Sequence, residues 1–260
     1  MAENGKTVIL VAAHQAAPMP ADPVYLPLQV GRAGHPDLGW TGDDTGDNIS
    51  GKNRTFCELT GLYWAWKNLK DYDALGLVHY RRFFVSRKGP RKGKTPLTGE
   101  EIDALLAKHR LILPAPRHYW IESNESQYAH AHHAVDLAET RAILAEQYPA
   151  YLPAWDRVMK RTWGHRFNMF IMGRADAEAY CAWLFDVLFR LEARLDISDY
   201  PDYDARVFGF VGERLMDVWV ETNQLPYHNQ PYILLEKVNW LKKGGLFLKR
   251  KFVGGGRHES

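Results

Sequence analysis

The sequence predicts an α/β fold on a mostly parallel central sheet, and three observations carry this. Val8 to Ala13 is an unbroken apolar run, as expected of a strand buried on both faces. Ala74 to Val78 is a second such run. Between them lie a long polar loop and an amphipathic helix, so residues 6 to 85 read β-loop-α-β, a crossover unit that points to parallel strands.

In chain order, the first strand ends at His14 and enters a Pro- and Ala-rich loop, Gln15 to Pro27. A Gly-rich loop from Gly31 to Asn53 follows, too long for a plain connector. Thr55 to Lys70 places Phe56, Leu59, Tyr63 and Trp64 on one stripe at helical spacing, with Asn53 or Thr55 as cap and Glu58 in the first turn. Asp71-Tyr72-Asp73 breaks the helix before the second strand. Residues 86 to 99 are a basic turn. Thr98, Glu100 and Glu101 open a helix, and Arg110 to Leu113 is a short strand closed by Pro114. An aromatic, His-rich stretch, Arg117 to His133, leads to a helix over Val135 to Gln147. Arg166 to Gly173 alternates as a strand does. Helices over Ala175 to Leu195 and Phe208 to Thr222 follow, and then a basic, aromatic tail.

With 260 residues the chain has room for one large domain or two small ones. It holds neither an internal repeat nor a low-complexity linker, so one domain is expected over residues 1–227, with 228–260 as the tail. Net charge is only +2, which gives no global argument for nucleic acid as a partner. Cys57 and Cys181 form no metal or disulfide spacing, as expected of a reducing compartment. The apolar run near the N-terminus is too short for a signal segment, and no stretch reaches membrane-spanning length, so a cytoplasmic protein is expected. Nine Trp and thirteen Tyr make the chain aromatic-rich. Core packing accounts for most of them, and exposed ones are candidate stacking platforms.

Ligands of open α/β sheets bind beyond the carboxyl ends of strands. Two such ends are visible, His14 and His79-Tyr80-Arg81-Arg82. Guanidinium forks grip phosphate oxygens in pairs and keep their charge, and a neighbouring His can donate to a phosphate or a sugar hydroxyl. The alternative is a structural ion-paired turn. Asp43, Asp44, Asp47 and Asn48 offer hard oxygens for a divalent metal, or hydrogen bonds for uracil or ribose. From residue types alone a solvated turn is the better reading. His118, His130, His132 and His133 match no zinc spacing. A polar pocket in which Tyr128, His130 and His133 donate hydrogen bonds is preferred. Glu213 and Arg214 open the polar side of the last helix. A carboxylate there can take a proton from an attacking hydroxyl, or be a paired surface acid.

The segments YLPLQVG (25–31), GDDTGDNIS (42–50), CELTGLYWAWKN (57–68), GLVHYRRFF (76–84), YAHAHHAVDL (128–137), FNMFIMGR (167–174), YCAWLFDVLF (180–189) and RVFGFVGERLMDVW (206–219) carry a family resemblance. The chain resembles bacterial glycosyltransferases of capsule, exopolysaccharide and O-antigen synthesis, long carried as a domain of unknown function and including galactofuranosyltransferases. The resemblance covers residues 7 to about 220, and residues 228–260 match nothing in it.

It implies a GT-A-like, Rossmann-type sandwich and transfer of a hexose, galactofuranose among the candidates, from a UDP-sugar to a glycan or lipid-linked acceptor, with inversion. In many such enzymes a strand leads to an Asp-X-Asp that presents a metal to the donor diphosphate. Here it leads to His79-Tyr80-Arg81, so arginine is expected to neutralise the leaving diphosphate and no metal is required. If an ion does take part, manganese or magnesium is expected. Position in the family pattern makes Glu213 the first choice for general base, with Asp204 and Asp44 behind it. Donor contacts are expected from His14, Asp43, Asp44, Asp47, Asn48, Lys52, His79, Tyr80, Arg81 and Arg82. Acceptor contacts are expected from Tyr128, His130, His133, Arg166, Asn168 and Arg214. The tail, with Trp240, Leu246, Phe247 and Phe252 among basic residues, is a candidate contact with an anionic membrane surface at the inner face of the cell membrane. It reads equally as a docked or disordered end. Two further readings stay open: a metal-dependent hydrolase or nucleotidyltransferase using the aspartates and histidines, and a non-catalytic nucleotide-sugar-binding module.

Overall fold

Apolar runs on both faces of a strand need cover on both sides, and the architecture supplies it. The computed structural model describes residues 6–86 and 93–235. β1 (Thr7–Ala13) lies between β2 (Tyr25–Gln29) and β4 (Ala74–His79), parallel to both. Leu10 and Ala12 join Leu75 and Leu77 in the core on one face. Ile9, Val11 and Ala13 join Val78 in the core on the other. This is the two-residue alternation of a strand, with both sides dry.

Around this pair the sheet grows to nine strands among the described residues. β3 (Thr41–Gly42) adds in parallel to β2. β6 (Leu111–Pro114) and β10 (Tyr227–Gln230) form a parallel pair. β9 (Phe170–Gly173) runs antiparallel between β4 and β6. β5 (Arg82–Phe84) turns back on the end of β4, and β11 (Tyr232–Leu234) pairs with it. β7 (Arg117–His118) and β8 (Trp163–Gly164) form a separate ribbon.

The helices are α1 (Asn53–Phe56), α2 (Leu59–Asn68), α3 (Gly99–Leu106), α4 (Asn124–Ala131), α5 (Ala134–Gln147), α6 (Leu152–Lys160), α7 (Arg174–Arg194) and α8 (Val207–Thr222). Most pack on the larger core, where Trp64, Trp155, Trp183 and Trp219 are buried. α3 covers the other face through Ile102. Its start is the expected one, with Thr98 and Glu101 forming a reciprocal capping box.

Four expectations are corrected. Residues 25–29, read in part as loop, form β2. Pro27 is tolerated because β3 reaches only Leu28 and Gln29, leaving the rest of β2 at the sheet edge. The single helix from Thr55 to Lys70 is two, broken at Cys57, whose φ of 53° no regular helix contains. The strand expected from Arg166 begins only at Phe170, because Phe167 and Asn168 have φ of 74° and 52°. The boundary at residue 227 falls inside the sheet, since β10 and β11 extend it to Leu234. The basic aromatic part of the tail, residues 236–260, lies outside the described residues, as do 87–92.

Candidate active site

Beyond the carboxyl ends of β1 and β4 opens a cleft of about 700 Å³. β1 delivers His14. β4 ends in His79, and Tyr80, Arg81 and Arg82 follow in the turn into β5. α8 presents Phe210, Glu213 and Arg214, three and four residues apart and so on one helical face. Seven arginines line the cleft (54, 81, 82, 117, 166, 206 and 214) against three acids, Glu58, Asp202 and Glu213. His14, His79, Tyr80, Arg81, Arg82, Arg166, Glu213 and Arg214 all line this cleft.

The arginines divide by what they already hold. Arg166 is built in: Nε donates to the Tyr119 hydroxyl at 2.8 Å, Nη1 to the His165 carbonyl at 2.6 Å and Nη2 to Asn124 Oδ1. Gly164 leaves the space its guanidinium needs. Arg214 donates to the Phe210 carbonyl at 2.8 Å and to Gln127 at 3.0 Å, and lies over the Tyr128 ring. Burial pulls its pKa down to about 10. Arg54 pairs with Asp202 at 3.0 Å, and Arg206 donates to Cys57 Sγ at 3.2 Å.

Arg117 lies over the Tyr119 ring at 5.6 Å and has no acid partner among the described residues. Arg81 and Arg82 stand together at the end of β4. Their side chains hold neither an acid nor a hydrogen-bond acceptor among the described residues, and Arg81 Nε is buried and unsatisfied. Each rests on an aromatic ring, Arg81 over Tyr80 at 5.0 Å and Arg82 over Phe167 at 4.3 Å. Burial, reinforced by the neighbouring Arg81 charge, lowers the pKa of Arg82. An anion placed between two such forks relieves both costs.

Facing them is the left-handed turn Phe167–Asn168, pinned from three sides. Glu213 Oε1 accepts from the Phe167 amide at 2.9 Å. His79 Nε2 lies 2.5 Å from the Phe167 carbonyl. A carbonyl only accepts, so Nε2 carries the proton. Asn168 Nδ2 donates to Glu58 at 2.7 Å and to the Gly209 carbonyl at 3.1 Å. Glu213 Oε2 accepts no hydrogen bond among the described residues, and its nearest cation is Arg214 Nη1 at 3.8 Å. One carboxylate oxygen is thus committed and one is spare.

Other expected site residues stand elsewhere. Asp43 is fully buried and accepts from the amides of Gly31 and Arg32 and the hydroxyls of Ser50 and Thr60, so it ties the loop together and faces no cleft. Asp44 lies 3.7 Å from Arg32, Asp47 accepts from Tyr63, and Asn48 donates to the Gly46 carbonyl. Lys52 pairs with Glu192. Tyr128 is buried and donates to Asp136, whereas His130 is exposed beside Glu122. His133 stacks on Tyr200. Asp204 holds His132 at 2.9 Å, and it is His132 that reaches the cleft. His79, expected to donate to a ligand, spends its Nε2 proton on the Phe167 carbonyl. Asn168 is off the cleft wall and donates to Glu58, which is on it.

Sequence reasoning missed Arg54, Glu58, Arg117, Tyr119, Gln127, His132, Tyr203, Arg206 and Phe210 on the cleft wall. Glu58, His132, Arg206 and Phe210 lie inside segments that carry the family resemblance, whereas Arg54, Arg117, Tyr119, Gln127 and Tyr203 lie outside them. The residue set at the end of β4 does not fit a divalent cation, because guanidinium groups stand where carboxylates are needed. Among the described residues no group of three or more His, Cys, Asp or Glu is placed to hold one. Nor is any helix among them long and apolar enough to cross a membrane.

A solved structure described as the apo form of WbbM, a bifunctional glycosyltransferase, is 28% identical and superimposes with a TM-score of 0.79. The match covers 89% of this chain and 45% of that one, so the chain spans somewhat under half of its solved relative. The shared architecture is a GT-A-like α/β sandwich. No curated protein matches. The family model described as "Domain of unknown function (DUF4422)" matches residues 8–224, through both central strands, the arginine turn and α8, and the chain belongs to that family.

Proposed function

We propose that the protein is a glycosyltransferase that moves a hexose from a UDP-sugar to a hydroxyl of a glycan or lipid-linked acceptor, with inversion. The observation that carries this reading is the Arg81–Arg82 pair, two adjacent guanidinium groups without an acid partner among the described residues, at the carboxyl end of a central parallel strand. The likeness to a protein described as a bifunctional glycosyltransferase supports it. Galactofuranose as the sugar rests on the family resemblance alone.

In the proposed reaction the acceptor oxygen attacks the anomeric carbon as the bond to the diphosphate breaks. The proton passes to Glu213 Oε2, the spare oxygen, and the charge gathering on the leaving diphosphate falls to Arg81 and Arg82. No metal is required on this reading. The setting is the cytoplasmic side of polysaccharide synthesis, with the tail at the membrane surface.

The test is a thermal-shift screen of nucleotides and nucleotide-sugars. A ligand at a hundred times its Kd stabilises by about 2.7 kcal/mol. A UDP-sugar is expected to stabilise the protein, with affinity cut about tenfold or more in Arg81→Ala and Arg82→Ala. No stabilisation by any member of the panel rejects the reading. Turnover should persist in excess EDTA, and complete loss restored only by manganese rejects the metal-free part. UDP binding without UDP release in the presence of any acceptor identifies a binding module instead.

A further inference from the structure

The arginines around the cleft differ in what they hold. Arg81 and Arg82 hold neither an acid nor an acceptor among the described residues. Next to Tyr203, Arg54 pairs with Asp202, while Arg206 donates to Cys57 Sγ and lies over the Phe210 and Tyr203 rings. This part of the wall is aromatic. His132 stacks on Phe210 at 4.3 Å and on Tyr203 at 5.5 Å, with interplanar angles of 28° and 24°. Arg206 covers the Phe210 ring at 5.2 Å. Tyr203 also meets Phe210 at 5.4 Å and 50°, so the three rings form a triangular cluster, and Tyr203, on the cleft wall, remains 60% exposed.

We propose that Tyr203, backed by His132 and Phe210, is a stacking subsite for a sugar ring of the acceptor. The inference rests on the glycosyltransferase reading. The exposed part of the Tyr203 ring is stabilised when apolar surface covers it. The same cleft wall carries Asp202, Gln127 and Arg206, one acid, one amide and one base, as hydrogen-bonding groups. A pyranose or furanose ring matches both demands, with a C–H face for the ring and hydroxyls for those groups. An anion does not, because it would settle on the unpaired arginines. The platform is rigid: Asp204 accepts from His132 Nδ1 at 2.9 Å and belongs to the segment that carries Tyr203.

Saturation-transfer NMR on the full chain tests this, with a panel of methyl glycosides (galactofuranoside, galactopyranoside, glucopyranoside, mannopyranoside and rhamnopyranoside) and UDP titrated separately. At least one glycoside is expected to bind the wild type. Its affinity should fall about tenfold in Tyr203→Ala and survive in Tyr203→Phe, with UDP affinity unchanged. Tyr203 is exposed, so both variants should fold, which circular dichroism verifies. Glycoside binding that is unaffected by Tyr203→Ala, or absent across the panel, overturns the subsite. Loss of UDP affinity in Tyr203→Ala also overturns it and makes Tyr203 a nucleobase platform. If glycosides bind through Tyr203 and UDP does not bind at all, the subsite stands and the nucleotide-sugar reading falls.

Discussion

Two carboxylates in this protein show how differently one functional group is used. Glu213 holds the Phe167 amide with Oε1 and leaves Oε2 spare toward an arginine-rich cleft. Glu213→Gln keeps an oxygen for the amide and removes the proton acceptor. It is expected to lower kcat by at least about a hundredfold with UDP-sugar affinity retained, measured by UDP release and titration. Near-normal turnover rejects Glu213 as the base. Asp43 spends its oxygens on four donors from three chain segments. Asp43→Ala leaves those buried donors unpaired and should cost about 3 kcal/mol or more in urea denaturation. A change under about 1 kcal/mol shows that water replaces the carboxylate there.

At the scale of elements, the cleft is shaped where regular structure stops. The Cys57 break ends α1, and α2 starts two residues later, placing Glu58 between them on the cleft wall. Asn53 Nδ2 donates to the Cys57 carbonyl across the break at 2.7 Å, and α8 meets the Cys57 side chain at Gly209. Burial raises the Cys57 thiol to about 12, so it stays protonated there. The Phe167–Asn168 turn delays the start of β9 and supports Arg82 through the Phe167 ring. Left-handed backbone at a side-chain-bearing residue costs about 1–2 kcal/mol. Asn168→Gly removes that cost and Asn168→Ala keeps it, while both strip Glu58 of its donor. Both should lose activity equally, and the Gly variant should be more stable by about 1 kcal/mol in thermal or urea unfolding. Equal stability argues that the turn relaxes in both, and full activity in either removes Glu58 from the site.

At the scale of the molecule, α4, α5 and the segment before α8 are tied at one buried carboxylate. Asp136 accepts from Tyr128 and from Tyr200, each at 2.8 Å. Burial raises its pKa, and the two tyrosine hydrogen bonds only partly oppose this. Between the unfolded and folded values the folded state holds more proton, so stability contributed at this site grows as pH falls through the folded-state pKa and is lost as pH rises. Asp136→Asn is expected to flatten the stability–pH curve just above the ordinary carboxylate range. An unchanged curve shows that Asp136 ionises as freely folded as unfolded.

What the sequence by itself determined is local and repetitive. Apolar runs specified β1 and β4, because a strand buried on both faces tolerates no polar break. Helical patterning specified α5, α7 and α8, and a capping signature specified α3. Strand-end position picked out His14 and the His79–Arg82 turn, since ligands gather where parallel strands end. What only the tertiary structure decided is which polar groups are already spent. Asp43 and Arg81 both looked ready for a ligand. Packing gave Asp43 four internal donors and left Arg81 without an acid or an acceptor among the described residues, and residue type cannot tell these fates apart because the partners lie far along the chain. The aromatic wall was hidden for the same reason. Its rings come from the α4–α5 junction, the loop before α8 and α8 itself, and they meet only once those segments pack.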